Sequence, residues 1–245
     1  MAILKSEAIV LKVQNFRETS LIVRFFTRDF GKISGIIKGI RKEPARYGGI
    51  PLTFSLNSIV FYGSIGKNLN LISQCDIADQ FSAIRSDLQK TNYANYFIEL
   101  LDAVTFEYDK NEHLFELVIS CLGVLYGAQQ CRQLARIFEI KLLNISGFKP
   151  RLDTCVSCQQ KIPAQAKFSL VSGGILCPRC YVKDSSASAV MKGTLASLEY
   201  IEKVPVEKAL QLKMTANIES ELTVILSRFI RLHLDKEIKS QKLLN

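Results

Sequence analysis

Residues 5–39, KSEAIVLKVQNFRETSLIVRFFTRDFGKISGIIKG, hold three short runs of Ile, Val, Leu and Phe separated by turn residues. β-Branched and aromatic residues suit a pleated, half-buried surface, so the runs 5–13, 19–27 and 32–39 read as strands. Two more follow at 52–62 (LTFSLNSIVFY) and 68–74 (NLNLISQ), with turns at Arg28-Asp29-Phe30-Gly31, Tyr47-Gly48-Gly49 and Gly63 to Gly66. Five consecutive short strands in roughly 75 residues suit a small closed barrel of the OB type, which hides sheet edges and often binds single strands. An SH3-like barrel is the alternative.

From Phe81 the apolar period becomes helical. One stripe runs through Tyr93, Phe97, Leu100 and Val104 and a second through Leu114, Val118, Cys121 and Leu125. A third runs through Leu134, Ile137, Phe138, Leu142 and Ile145, with Gly147 and Pro150 as its stop. The three are expected to pack together. Ser185 to Ser188 offer N-caps for further helices through Leu195, Leu198 and Ile201, then Ile218, Leu222, Ile225, Phe229 and Leu232. The expectation is an α+β chain: an N-terminal five-stranded OB-type barrel over 1–80, and an all-helical domain over 81–150 and 185–245. A zinc-binding insertion over 151–184 interrupts the helical domain.

The chain is 48% hydrophobic and 22% charged, the balance of a folded protein. Its net charge of +9 favours polyanionic partners. Residues 1–80 carry eleven basic against six acidic side chains, so the excess sits mostly in the barrel. Glu7 and Lys12 break the opening apolar stretch, which excludes a signal peptide. No run reaches the roughly 18 apolar residues of a membrane span. The expected location is the cytoplasm.

Cys155-Val-Ser-Cys158 and Cys177-Pro-Arg-Cys180 are separated by 18 residues, within the window for a four-cysteine zinc site. Each pair presents two thiolates to one ion, and Gly173-Gly174 suits a hairpin returning the second pair to the first. With four sulfur ligands no position remains for a catalytic water, so one structural Zn2+ is expected. Two redox disulfides, an iron–sulfur cluster and chance are the other readings. Cys75, Cys121 and Cys131 read as ordinary buried thiols.

Arg24, Arg28, Lys32, Lys38, Arg41, Lys42 and Arg46 place seven cations within 23 residues, against only Asp29 and Glu43. Six of them, Arg24, Lys32, Lys38, Arg41, Lys42 and Arg46, are the candidate nucleic-acid contacts, through phosphates. A solvated charged face is the plain alternative. Tyr47 and Phe54 are weaker candidates for stacking on bases, since an aromatic in a small barrel is more often core. Catalytic constellations are missing: His113 and His233 stand alone, and neither Gly31-Lys32 nor Gly66-Lys67 is followed by Ser or Thr, which excludes a Walker-type loop. Asp102, Glu107 and Asp109 are expected on a helical surface, where charge pairing explains them. The chain is expected not to be an enzyme.

Barrel, split helical part and cysteine insertion, in that order, resemble the bacterial recombination mediator RecO. The strings that carry the likeness are Glu18-Thr19-Ser20-Leu21, Phe26-Thr27, Gly31-Lys32, Lys38-Gly39-Ile40-Arg41 and Pro51-Leu52-Thr53-Phe54. Arg136 to Leu143 through Gly147-Phe148, and the ending Leu234 to Ser240, complete them. The resemblance implies a DNA repair and recombination protein that binds single- and double-stranded DNA, anneals complementary strands and acts with RecR. That complex helps RecA replace single-stranded DNA-binding protein, in the bacterial cytoplasm and at the nucleoid during repair. It further implies that the helical domain receives the acidic, phenylalanine-ended C-terminal tail of single-stranded DNA-binding protein. Arg136 matches a tail-contacting basic residue, and Arg132 would be a second cation one turn earlier. Alternatively Arg136 pairs with Glu139. Two other classes stay open: a zinc-ribbon RNA-binding or transcription/translation accessory factor, and a pure scaffold.

Overall fold

The computed structural model describes residues 2–63, 69–162, 165–234 and 236–244. Most of the expected turn at Gly63 to Gly66, Asn68 of the fifth expected strand, and Asp235 of the closing string lie outside the described residues. Two compact units make up the chain: Met1–Gly127 with Ile238–Asn245, and Ala128–Glu237.

The first unit is built on β1 (Ala2–Phe16), β2 (Ser20–Thr27), β3 (Gly31–Ile37), β4 (Leu56–Gly63) and β5 (Asn70–Asp79). They form a closed barrel in the order β1-β2-β3-β5-β4. All five expected strands are present. The parallel pairing of Gly35 with Asn70 and of Ile36 with Leu71 closes the barrel between β3 and β5, the crossed order of the OB type. β1 is long enough to serve two partners, Ala2 to Ile9 pairing with β4 and Ala8 to Phe16 with β2. A bulge between Val10 and Lys12 bends it from one to the other.

Alternate residues point inward, which is why the strand period of two was legible. Val10, Leu21, Val23, Phe25, Ile33, Ile59, Phe61 and Ile72 fill the interior. Gly35 is required there: a Cβ would lie 2.4 Å from Ile72 Cδ1. Gly31, at φ +67°, supplies the left-handed turn before β3, and a Cβ would meet the Asp109 carbonyl oxygen at 2.1 Å.

Helices α1 (Ser82–Arg85), α2 (Leu88–Val104) and α3 (Glu112–Gly127) and a closing 3-10 turn, Lys239–Leu243, complete this unit. Asp87 caps α2 by accepting the Lys90 N–H at 3.1 Å. Phe115 of α3 meets Phe26 of β2, ring centroids 6.4 Å apart. The Glu99 carboxylate of α2 accepts the backbone N–H groups of Lys239 and Ser240, at 2.9 and 2.8 Å, tying down the C-terminal turn. Glu107 and Asp109 follow α2 in a loop that bridges to Lys32 of β3, and not on a helical surface.

The second unit holds α4 (Cys131–Ile145), a small sheet of β6 (Lys167–Ser169), β7 (Gly174–Leu176) and β8 (Ser188–Ala189), then α5 (Lys192–Lys203), α6 (Val206–Ala209) and α7 (Ala216–His233). α4 packs against α5, α6 and α7. The Gln133 amide of α4 donates to the carbonyls of Leu210 and Leu212, at 3.3 and 2.9 Å, so a buried polar side chain closes that packing. Of the three helical stripes expected to pack together, α2 and α3 fall with the barrel and α4 with the later helices. The serines at 185–188 are not N-caps: Ser188 enters β8, and α5 starts after Met191. Among the described residues no helix is long and apolar enough to cross a membrane.

Candidate metal centre and nucleic-acid interface

Cys155 and Cys158 sit on a tight turn in which the Gln159 N–H donates to the Cys155 carbonyl at 2.8 Å. The β6–β7 hairpin, turned at Gly173 with φ +68°, carries the chain back so that Cys177 and Cys180 open the next turn. The first turn is stitched to β7 by Val156 N–H to Ile175 O at 2.9 Å. Gly174 is required where the hairpin passes the incoming chain at Arg151, since a Cβ would lie 2.4 Å from the Arg151 carbonyl oxygen. All four Sγ atoms lie within 4.8 Å of one another.

That geometry fits a four-sulfur metal centre. Tetrahedral Zn–S bonds of about 2.3 Å require sulfurs about 3.8 Å apart, and Cys158 Sγ lies 3.7 Å from Cys177 Sγ. The electrostatics agree. Burial opposes the Cys155 thiolate, yet backbone donors of Cys177, Cys158 and Ser157 bring its pKa down to about 6. Cys158 receives an N–H from Gln160, but burial and the three neighbouring sulfurs push it up to about 11. One thiolate is favoured and the next is penalised by its neighbours, and a dication removes such a penalty. Cys75, Cys121 and Cys131 are buried, and burial drives the Cys75 thiol up to about 12.

The cations divide sharply. Lys38, Arg41, Lys42 and Arg46 are all exposed on the connection from β3 to β4. Its backbone is fixed by Tyr47, whose hydroxyl donates to the Lys38 carbonyl at 2.9 Å, and by Arg41 N–H to Thr19 O at 2.9 Å. The second bond ties it to the β1–β2 turn, where exposed Arg17 lies; the Arg17 carbonyl accepts from Arg41 Nη1 at 3.4 Å. Arg17 thus joins the cluster, although it lies outside the 23-residue window, because barrel closure places two turns side by side.

Lys32 leaves the phosphate-contacting set. It is 5% exposed, and its ammonium sits 2.8 Å from the Asp102 carbonyl oxygen and 3.1 Å from Asp102 Oδ1. Arg24 bonds the same carboxylate at 3.0 Å from a half-buried position. Asp102 therefore holds both, joining α2 to the barrel wall. Arg28 is occupied by Glu116, Glu7 and Glu112; the hydrogen bond to Glu116 is the chief cause that raises its pKa. Tyr47 and Phe54 are 6% and 1% exposed, so both are core and neither is available to a base. The Arg85 guanidinium covers the Phe54 ring, 3.8 Å from its centroid.

On α4 the pairing of Arg136 with Glu139 is formed, Nη2 to Oε1 at 2.6 Å, with Arg136 only 4% exposed. Arg136 Nε and Nη1 are buried and have no hydrogen-bond partner among the described residues. Arg132 is exposed.

Comparison with known proteins is consistent along the chain. A family model described as Recombination protein O N terminal matches residues 1–81, and one described as Recombination protein O C terminal matches residues 85–242. The chain is 32% identical to the DNA repair protein RecO of Clostridium acetobutylicum, over 100% of this chain and 98% of that one. It is 31% identical to the DNA repair protein RecO of Syntrophus aciditrophicus, over 98% and 95% respectively. To the protein of that name from Listeria monocytogenes it is 36% identical, over 74% of this chain and 69% of the relative.

Proposed function

The chain belongs to the recombination protein O family of DNA repair proteins, and from that premise we propose that it is a non-enzymatic recombination mediator. It binds single- and double-stranded DNA, anneals complementary strands and, with RecR, helps load RecA onto DNA coated with single-stranded DNA-binding protein. Its place is the cytoplasm, at the nucleoid during repair. The observation that carries this reading is the run Lys38, Arg41, Lys42 and Arg46, exposed on one connection of a closed barrel and interrupted only by Glu43. Annealing needs phosphate charge neutralised and bases left free to pair, which such a surface supplies without a nucleophile. Arg17 extends it, while Arg24, paired with Asp102, stands outside it.

Cys155, Cys158, Cys177 and Cys180 hold one Zn2+ in this reading, with a structural role: the ion supplies the cross-link that a segment with so small a core lacks. The tail of single-stranded DNA-binding protein docks on α4. The support is that Arg132 offers an exposed cation on α4, the complement of a terminal carboxylate, whereas Arg136 is buried against Glu139 and does not face an incoming tail.

The test is annealing of complementary oligonucleotides coated with single-stranded DNA-binding protein, with and without this chain. Faster annealing with the chain is expected. Equal rates would sink the mediator reading, and a preference for RNA over single-stranded DNA would favour an RNA-binding accessory factor. For the tail, Arg132→Ala should weaken a tail peptide about tenfold, within the range for a charged hydrogen bond, and leave naked-DNA affinity intact. An equal loss of both would remove α4 from that role.

A further inference from the structure

The barrel's outer surface carries a feature that neither the cation cluster nor the core explains. In the cross-strand register Ile3 of β1 lies opposite Tyr62 of β4, Tyr62 opposite Leu71 of β5, Leu71 beside Ile36 of β3, and Ile36 opposite Ile22 of β2. Residues directly opposite one another in a sheet share a face. Their neighbours Phe61 and Ile72 point into the core, so this row points out. Ile3 is 66% exposed, Leu71 38% and Tyr62 37%. Four inter-strand steps of about 4.8 Å make a curved apolar strip about 19 Å long.

What covers such a strip is indicated by the charges beside it. Lys5, opposite Val60 and two residues from Ile3, is exposed on one side, and Lys38, two residues beyond Ile36, is exposed on the same side. The register positions between them are Val60 and Gln74. On the other side lie Leu69, Ser34, Arg24 and Lys12, the last two opposite each other. No strand carboxylate occupies a flanking register position among the described residues, although Asp102 of α2 neutralises Arg24 from outside the sheet. An apolar strip that carries an aromatic ring, with exposed Lys5, Lys38 and Lys12 at its margins, complements a strand of unpaired nucleotides, whose bases are apolar plates and whose linkers are anions.

We propose that Tyr62 is the stacking platform of a single-strand site on this face, with Ile3 and Leu71 packing the neighbouring bases and Lys5 and Lys38 holding phosphates. The inference rests on the nucleic-acid reading above and deepens it. It divides the labour: the β3–β4 connection attracts any phosphate backbone, single or duplex, whereas the strip takes only bases released from pairing. A duplex keeps its base faces buried in its own stack and gains nothing from the ring.

The experiment measures the affinity of the full chain for a fluorescent oligothymidylate and for a duplex, across a salt series, with Tyr62→Ala and Tyr62→Phe. Base–aromatic stacking predicts that Tyr62→Ala weakens the oligothymidylate about tenfold, with the salt slope and duplex affinity unchanged. Tyr62→Phe keeps the ring and should bind as the parent does. Tyr62→Ala binding oligothymidylate like the parent would overturn the proposal, leaving the strip as a surface for an apolar protein partner. So would Tyr62→Phe losing as much as Tyr62→Ala, since the hydroxyl and not the ring would then matter. If the parent bound neither nucleic acid, the nucleic-acid reading itself would fall, a result distinct from either.

Discussion

The barrel and the cysteine segment solve the same problem, holding short strands together, by opposite means. Every strand of the barrel has two neighbours, and the backbone groups are satisfied around a closed ring over a core of large apolar side chains. The cysteine segment has strands of three and two residues. Its buried cluster consists of Leu176 and Ala187 with Cys155, Cys177 and Cys180, edged by partly buried Val156, Ile162 and Tyr181. A fold of that size cannot offset its ordering entropy by apolar burial, so the four sulfurs stand where the barrel has phenylalanines. The lesson is that one region should fail with its ion and the other with its core, each leaving the other in place.

The largest effect expected is at the metal. Structural zinc contributes about 10–16 kcal/mol of apparent binding energy in small modules. Cys177→Ser should therefore abolish amide hydrogen-exchange protection over β6 to β8 and reduce bound zinc from one per chain to well below it, with β1 to β5 still protected. Elemental analysis and exchange mass spectrometry read both. Loss of barrel protection in the same variant would break the comparison.

Next comes the reverse experiment. Phe61 is 1% exposed and packs edge-on against Phe30, centroids 5.5 Å apart. Phe61→Ala should cost about 3–5 kcal/mol by cavity formation. Denaturant unfolding should show the barrel transition shifted down while zinc content stays at one per chain.

A functional effect of middling size follows from the exposed cations. Four neutralised phosphates on a single strand correspond to a slope of log affinity against log salt of roughly -3. Changing Lys38, Arg41, Lys42 and Arg46 together to Ala should flatten that slope and leave both folds intact. A slope kept in the quadruple variant would move the binding surface elsewhere, the cysteine segment included. The smallest effect is at Arg24. Its ion pair with Asp102 is partly solvated, with an Arg24 side-chain exposure of 37%. Arg24→Ala should therefore cost no more than about 1 kcal/mol. The salt slope should stay unchanged, because this guanidinium already has its carboxylate.

Much of this was legible in the amino-acid sequence. The strands of 5–39 announced themselves because a half-buried sheet imposes a period of two on its apolar residues. The four-cysteine cluster was legible because two thiols on one tight turn require the spacing Cys-x-x-Cys. What could not be read was which cations remain free. Arg24, Lys32 and Lys38 look alike along the chain, yet Asp102, seventy residues from Lys32, holds the first two and not the third. A carboxylate on a helix carries no sequence mark of the cation it will meet.

The same limit hid Arg17 and Tyr62. Sequence by itself determined the strand and helix periods, the basic excess of the first 80 residues and the pairing of the four cysteines in two Cys-x-x-Cys turns, because each of these is set by neighbours within a few residues. Tertiary structure alone decided three things: that β3 runs parallel to β5, that Tyr47 and Phe54 turn into the core while Tyr62 stays out, and that α2 and α3 fall with the barrel while α4 falls with the later helices. The physical reason is common to all three. Strand order, side-chain exposure and helix partnership depend on which distant surfaces meet when the barrel closes, and local propensity carries no record of that choice.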